Sequence, residues 1–104
     1  MPKYVFAYHG GGMPETPEAG AKAMKAWEDW FKALGSGVVD AGNPVGRSRT
    51  VSAQGVSGDG GANPVSGYSV LDAPDFDAAV DMAKGCPMVA DGSGSVEVAE
   101  VIDM

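Results

Sequence analysis

The sequence contains one cysteine, Cys86, and one histidine, His9, in 104 residues. A single cysteine excludes an intrachain disulfide. One histidine and one cysteine also leave no ligand-spaced cluster, so no metal site is expected. Asp72, Asp75, Asp77 and Asp81 do not fit a calcium loop, which needs a glycine at its sixth position. Basic residues are scarce as well. Seven Lys and Arg face 14 Asp and Glu, a formal net charge of −7. That balance argues against nucleic acid, whose binding depends on cations neutralising phosphates, and against an anionic membrane surface. No apolar run approaches the length of a membrane span. The opening "MPKYVFAYHGG" is too short and too strand-like for a signal peptide, so a cytoplasmic protein is expected.

Hydrophobic residues make up 44% of the chain, enough for a thin core in one domain covering residues 1–104. Of the 16 glycines, 13 cluster at 10–12, 35–46, 55–61 and 92–94, as punctuation between elements. "KYVFAYH" (3–9) is β-branched and aromatic without clean alternation, which predicts a strand buried on both faces. Thr16 is an N-cap, Pro17 stands at N1, and Glu18 sits in the first turn, where the helix dipole favours it. A helix is predicted from Pro17 to Leu34, with a core stripe of Met24, Trp27, Phe31 and Leu34 and with Ala23 and Trp30 alongside. Gly35 ends it.

"GVVDAGNPVG" (37–46) predicts a short strand and a turn, "SRTVSAQ" (48–54) a more exposed strand, and 55–64 a mobile loop. "SGYSVLDA" (66–73) is the next strand. Asp75 caps a helix over 76–84 with Phe76, Ala79, Val80 and Ala83 inward. The last strand is predicted over 94–103. The order is βαββαβ, the ferredoxin-like split arrangement, α+β with an antiparallel sheet. Helices cover one face of such a sheet, and the first strand offers no polar face for the other. A homodimer, sheet facing sheet, is therefore expected.

"KYVFAYHGG", "WEDWFKALGSGVVDAGNPVG", "SGYSVLDAPDFDAAVDMAKGCP" and "GSVEVAEV" occur in that order and spacing. Together they resemble a YCII-related domain of the DGPF type over roughly residues 3–102. The resemblance implies a ferredoxin-like fold that dimerises into an α/β barrel. It also implies distant kinship to small lyases, isomerases and dehydrochlorinases acting on aromatic breakdown products. One branch of that family has a His–Asp pair, with the histidine on the first helix and the aspartate before the proline that follows the second. Here the first helix has no histidine and Cys86 precedes Pro87, so the pair does not carry over.

His9 followed by Gly10, Gly11 and Gly12 is spelled like the oxyanion loop of lipases. The chain lacks the partner motif, Gly-x-Ser-x-Gly, and is too short for a hydrolase sheet. Neither a P-loop nor a dinucleotide fingerprint occurs, and no cofactor is expected. Gly10 and Gly11 could form a small anion nest. At the end of a central first strand, His9 would lie near Glu97 of the last strand, with Asp40 at the same edge. A histidine beside a carboxylate is an acid–base candidate. Arg47 and Arg49 could clamp an anion, and Tyr8 and Tyr68 could reach a cleft. Cys86 reads as a small structural residue. The expected function is binding of a small anionic or aromatic molecule near the end of the first strand, with His9 as the acid–base group. The alternative is a non-catalytic dimeric binding or regulatory module.

Overall fold

A computed structural model describes residues 1–12 and 14–104. Strand β1 (Lys3–Gly10) leads to helix α1 (Pro17–Leu34), a 3₁₀ turn (Gly35–Gly37) and β2 (Val38–Pro44). A short hairpin follows, β3 (Thr50–Ser52) and β4 (Gly55–Ser57). Then come β5 (Val65–Asp72), α2 (Phe76–Lys84), the one-turn α3 (Pro87–Ala90) and β6 (Gly94–Glu100). The main sheet has the order β2-β5-β1-β6, and every neighbouring pair in it is antiparallel. The fold is α+β. The hairpin and α3 are additions to a plain βαββαβ order.

Both long helices begin as their sequences dictate. The Thr16 hydroxyl accepts from the Ala19 amide at 3.1 Å, and the Asp75 carboxylate accepts from the Ala78 amide at 2.8 Å. Each satisfies one of the donors that a helix start leaves free. Tyr4, Phe6 and Tyr8 of β1 and Ser69 and Leu71 of β5 are buried on one sheet face, with Trp30 of α1, Ala79 and Ala83 of α2, Cys86 and Met88. Trp30 stacks on Phe6 and donates its ring N–H to the Met82 carbonyl at 3.1 Å, tying α1 to α2. Each large apolar side chain buried this way contributes about 1.5–3 kcal/mol.

The first strand is not buried on both faces. Tyr4, Phe6 and Tyr8 alternate with the half-exposed Val5, Ala7 and His9. The helices cover only one face, and the apolar residues of the other stand open in the single chain. Met24 departs from the predicted stripe and is 65% exposed, because residues 17–26 of α1 run past the packed core. The radius of gyration, 14.8 Å, exceeds the roughly 13 Å of a compact chain of this length.

Within 48–54 only Thr50–Ser52 is a strand, and it pairs with Gly55–Ser57, so the first part of the expected 55–64 loop is a strand. Its two-residue turn, Ala53–Gln54, carries none of the Asn-Gly or Asp-Gly chemistry that announces a hairpin. The last strand ends at Glu100 rather than 103.

Candidate functional site

β1 lies between β5 and β6, so its outward-facing residues form the middle of the open sheet face. In register across that face, Val70, Val5 and Ala99 make one row, and Tyr68, Ala7 and Glu97 make the next. Ala7 is small and its two neighbours are long. The second row is therefore a notch with Ala7 as floor and Tyr68 and Glu97 as walls. Strands spaced about 4.8 Å apart set those walls about 10 Å from each other at the backbone. Tyr68 is 37% exposed.

His9 closes one end of the notch, two residues beyond Ala7 on the same face. Its Nε2 lies 3.0 Å from Glu97 Oε1. Its Nδ1 faces the backbone carbonyls of Asn63 at 3.0 Å and Pro64 at 3.3 Å. Carbonyl oxygens only accept, so Nδ1 carries a proton in either charge state. Nε2 is then the nitrogen that gains or loses one. Burial opposes the imidazolium, but the Glu97 hydrogen bond and the two carbonyls outweigh it and raise the His9 pKa above its ordinary value. The His9 side chain is 13% exposed and that of Glu97 67%, so Glu97 is the partner a ligand could displace.

Asp40 is not part of this cluster. It pairs with Val70, which pairs with Val5, four residues along β1 from His9. β1 and β2 are both antiparallel to β5 and therefore parallel to each other, so the start of β2 lies level with the start of β1. The Asp40 carboxylate instead accepts from the Gly42 amide at 2.9 Å, inside a bulge of β2.

The other sequence candidates divide by burial. Tyr8 lies on the core face, donates its hydroxyl to Ser69 Oγ at 2.7 Å, and packs edge-on against Trp27 at 5.0 Å. Burial, partly offset by the Ser69 bond, pushes its pKa up to about 12. Gly10 and Gly11 have φ of +85° and +87°, and the Gly11 amide donates to the Ser93 carbonyl at 2.9 Å. One of the proposed nest donors is thus already occupied. Arg47 and Arg49 are exposed and belong to none of the three ion pairs among the described residues. Val45, two residues before Arg47, bonds to the Ser66 carbonyl, which puts Arg47 at the His9 end of the sheet.

Cys86 is fully buried, and desolvation raises its thiol pKa, so it is held as a neutral packing group. No group of three or more potential metal ligands occurs among the described residues. No helix among them is long and apolar enough to cross a membrane.

Two contributors carry no signal in the sequence: the Asn63 and Pro64 carbonyls, which any residue would supply. Ser69 does carry one, as a hydroxyl between Tyr68 and Val70, at a position where the alternation of β5 turns toward the core with Leu71. It accepts from Tyr8 and donates to the Ala41 carbonyl at 2.7 Å, bracing β2 beside Tyr68. No family model and no curated protein matches the chain.

Proposed function

We propose that this chain is a ferredoxin-like protein related to the YCII family of the DGPF type and works as a cytoplasmic homodimer. In this reading the second copy covers the open sheet face, and a small planar anionic or aromatic molecule binds in the notch over Ala7. The observation that carries the proposal is the placement of His9. Its Nδ1–H is oriented by two backbone carbonyls, and its Nε2 meets an exposed carboxylate on the one sheet face without helices.

Charged His9 offers Nε2–H to a carboxylate or enolate oxygen in place of Glu97. Neutral His9 keeps its Nδ1–H on the loop and presents a lone pair at Nε2, which suits a general base. Tyr68 supplies an aromatic wall and a hydroxyl. Val5, Val70 and Ala99 form the apolar surface that a second copy would remove from water. A binding role without catalysis is the second reading. It is favoured by the exposure of Glu97, the carboxylate beside His9, whose side chain is 67% exposed rather than enclosed in a pocket that excludes water.

Two measurements test the proposal. Light scattering at micromolar concentration should give twice the chain mass, and Val70→Glu should halve it while the circular dichroism spectrum is kept. Thermal shift against a panel of small aromatic carboxylates should stabilise the wild type and not His9→Ala. A monomeric wild type removes the dimer, and a ligand that stabilises both proteins equally removes His9 from its site.

A further inference from the structure

β6 is an edge strand of the main sheet, and its outer side pairs with no other strand among the described residues. The Gly11 amide bonds to the Ser93 carbonyl and the Val101 amide to the Lys3 carbonyl. Antiparallel pairing alternates, so Ser95, Glu97 and Ala99 also turn their backbone groups toward β1. Gly94, Val96, Val98 and Glu100 therefore turn their N–H and C=O groups outward, where no strand among the described residues pairs with them. β2, the opposite edge, is protected by two register shifts and by Pro44, which has no N–H. β6 has seven residues in unbroken register, with no proline and no lysine.

A shallow, open groove of about 470 Å³ lies along this edge between α2, Val89 of α3 and β6. Phe76 and Val89, 44% and 40% exposed, line it together with Val80, Val96 and Val98. Side chains on an added strand opposite Val96 and Val98 would point to the same sheet face and enter the groove. Alternate side chains would point to the open face, beside Ser95, Glu97 and Ala99.

A second copy of β6 is a poor occupant. Full antiparallel overlap of two seven-residue strands centres on Glu97 and sets two carboxylates directly opposite each other. Because Glu97 bonds inward to β1, that would be a non-hydrogen-bonded pair, the closest kind, and like charges there are destabilising. The edge bears Glu97 and Glu100, and the one lysine lining the groove, Lys84, is paired with Asp81 at 3.1 Å.

The geometry points to β6 as a docking edge for an extended peptide that alternates apolar side chains, seated in the α2 groove, with basic ones on the open face. The apolar half of this surface lies on the helix face, away from the notch over Ala7; the open-face half shares Glu97 with the notch, so a basic side chain there would compete with His9 for that carboxylate.

The test is calorimetric titration of the full chain with a capped seven-residue peptide alternating lysine and valine, with amide shifts followed by NMR. The expected result is saturable binding that weakens at least tenfold between 50 and 500 mM salt. Shifts and new exchange protection should fall on Val96 and Val98, and on α2. N-methylation of the peptide's β6-facing amides, or Val89→Lys in a protein that melts as the wild type does, should weaken binding at least tenfold. Absence of binding, equal affinity for a glutamate–valine peptide, indifference to N-methylation, or shifts confined to β2 would each overturn the proposal. So would protection of the Val96 and Val98 amides in the free protein on concentration, which would assign the edge to a second copy.

Discussion

Ser69 should be worth more to this fold than its size suggests, and a double-mutant cycle with Tyr8 can show it. Its buried Oγ accepts from the Tyr8 hydroxyl and donates to the Ala41 carbonyl, both at 2.7 Å. In Ser69→Ala the phenol loses its acceptor inside the core, at a cost of about 1–3 kcal/mol. Ala41 is an exposed residue whose carbonyl can turn to water, which adds only about 0.5 kcal/mol. The single substitution should therefore cost about 2–3 kcal/mol.

Tyr8→Phe removes the donor and leaves Ser69 its bond to Ala41, at a cost of about 1 kcal/mol. The double variant has no orphaned phenol and should cost about 2 kcal/mol, less than the sum, with a coupling of about 1–2 kcal/mol. Urea unfolding at fixed chain concentration, followed by Trp fluorescence, measures all four proteins; Trp27 stands 5.0 Å from the Tyr8 ring. For a domain of this size the Ser69→Ala loss corresponds to a fall in Tm on the order of 10 °C. Strict additivity, or a Tyr8→Phe cost as large as that of Ser69→Ala, would refute the reasoning.

Gly42 has φ +71°, and a Cβ there would overlap the Tyr68 carbonyl, so Gly42→Ala should cost at least about 2 kcal/mol in a chemical melt. A loss under about 0.5 kcal/mol would mean that the β2 bulge is not held as described. The folded pKa of His9 is raised, so its contribution to stability is complete below pH 6.5, the ordinary value, and is lost as pH rises through the folded pKa. Wild type minus His9→Gln stability should follow that course, and Glu97→Gln should lower the pKa read from the His9 ring protons. An unchanged pKa would remove the Glu97 bond from the account. Thr16→Ala removes a cap worth about 1 kcal/mol, but the first turns of α1 are exposed. Amide exchange should accelerate at Ala19–Ala23 with little change in Tm; a global loss of the full amount would show those turns to be packed in solution.

The elements that could be read from the sequence were those with a local cause. The α1 start follows from Thr16 and Pro17, the α2 start from Asp75, and the burial of Ala79 and Ala83 from the α2 spacing, whereas Phe76, expected inward with them, is 44% exposed at the helix start. What failed was non-local. Met24 continues the spacing of Trp27, Phe31 and Leu34, yet periodicity cannot say where the partner sheet stops, and α1 outruns it. "YVFAY" shows no polar alternation because Val5 and Ala7 are apolar on a face that the helices leave uncovered. The same pattern would arise from burial on both sides, and sequence alone does not separate the two.

The site was legible to the extent that antiparallel topology determines it. A central first strand paired with an antiparallel last strand puts the end of one beside the start of the other, so His9 and Glu97 had to be neighbours. The same reasoning failed for Asp40 because β1 and β2, separated by β5, run parallel and share their starting edge. The decisive groups at His9 Nδ1 are main-chain carbonyls, which no residue type announces. They matter more than Glu97 for the chemistry available. A carboxylate on an exposed side chain can leave, whereas two carbonyls on the far side of the ring fix which nitrogen keeps its proton. Glu97→Gln should therefore shift the pKa of His9 without changing its tautomer. Shortening the loop before Pro64 should release the ring and with it any selectivity the notch has for a charged ligand.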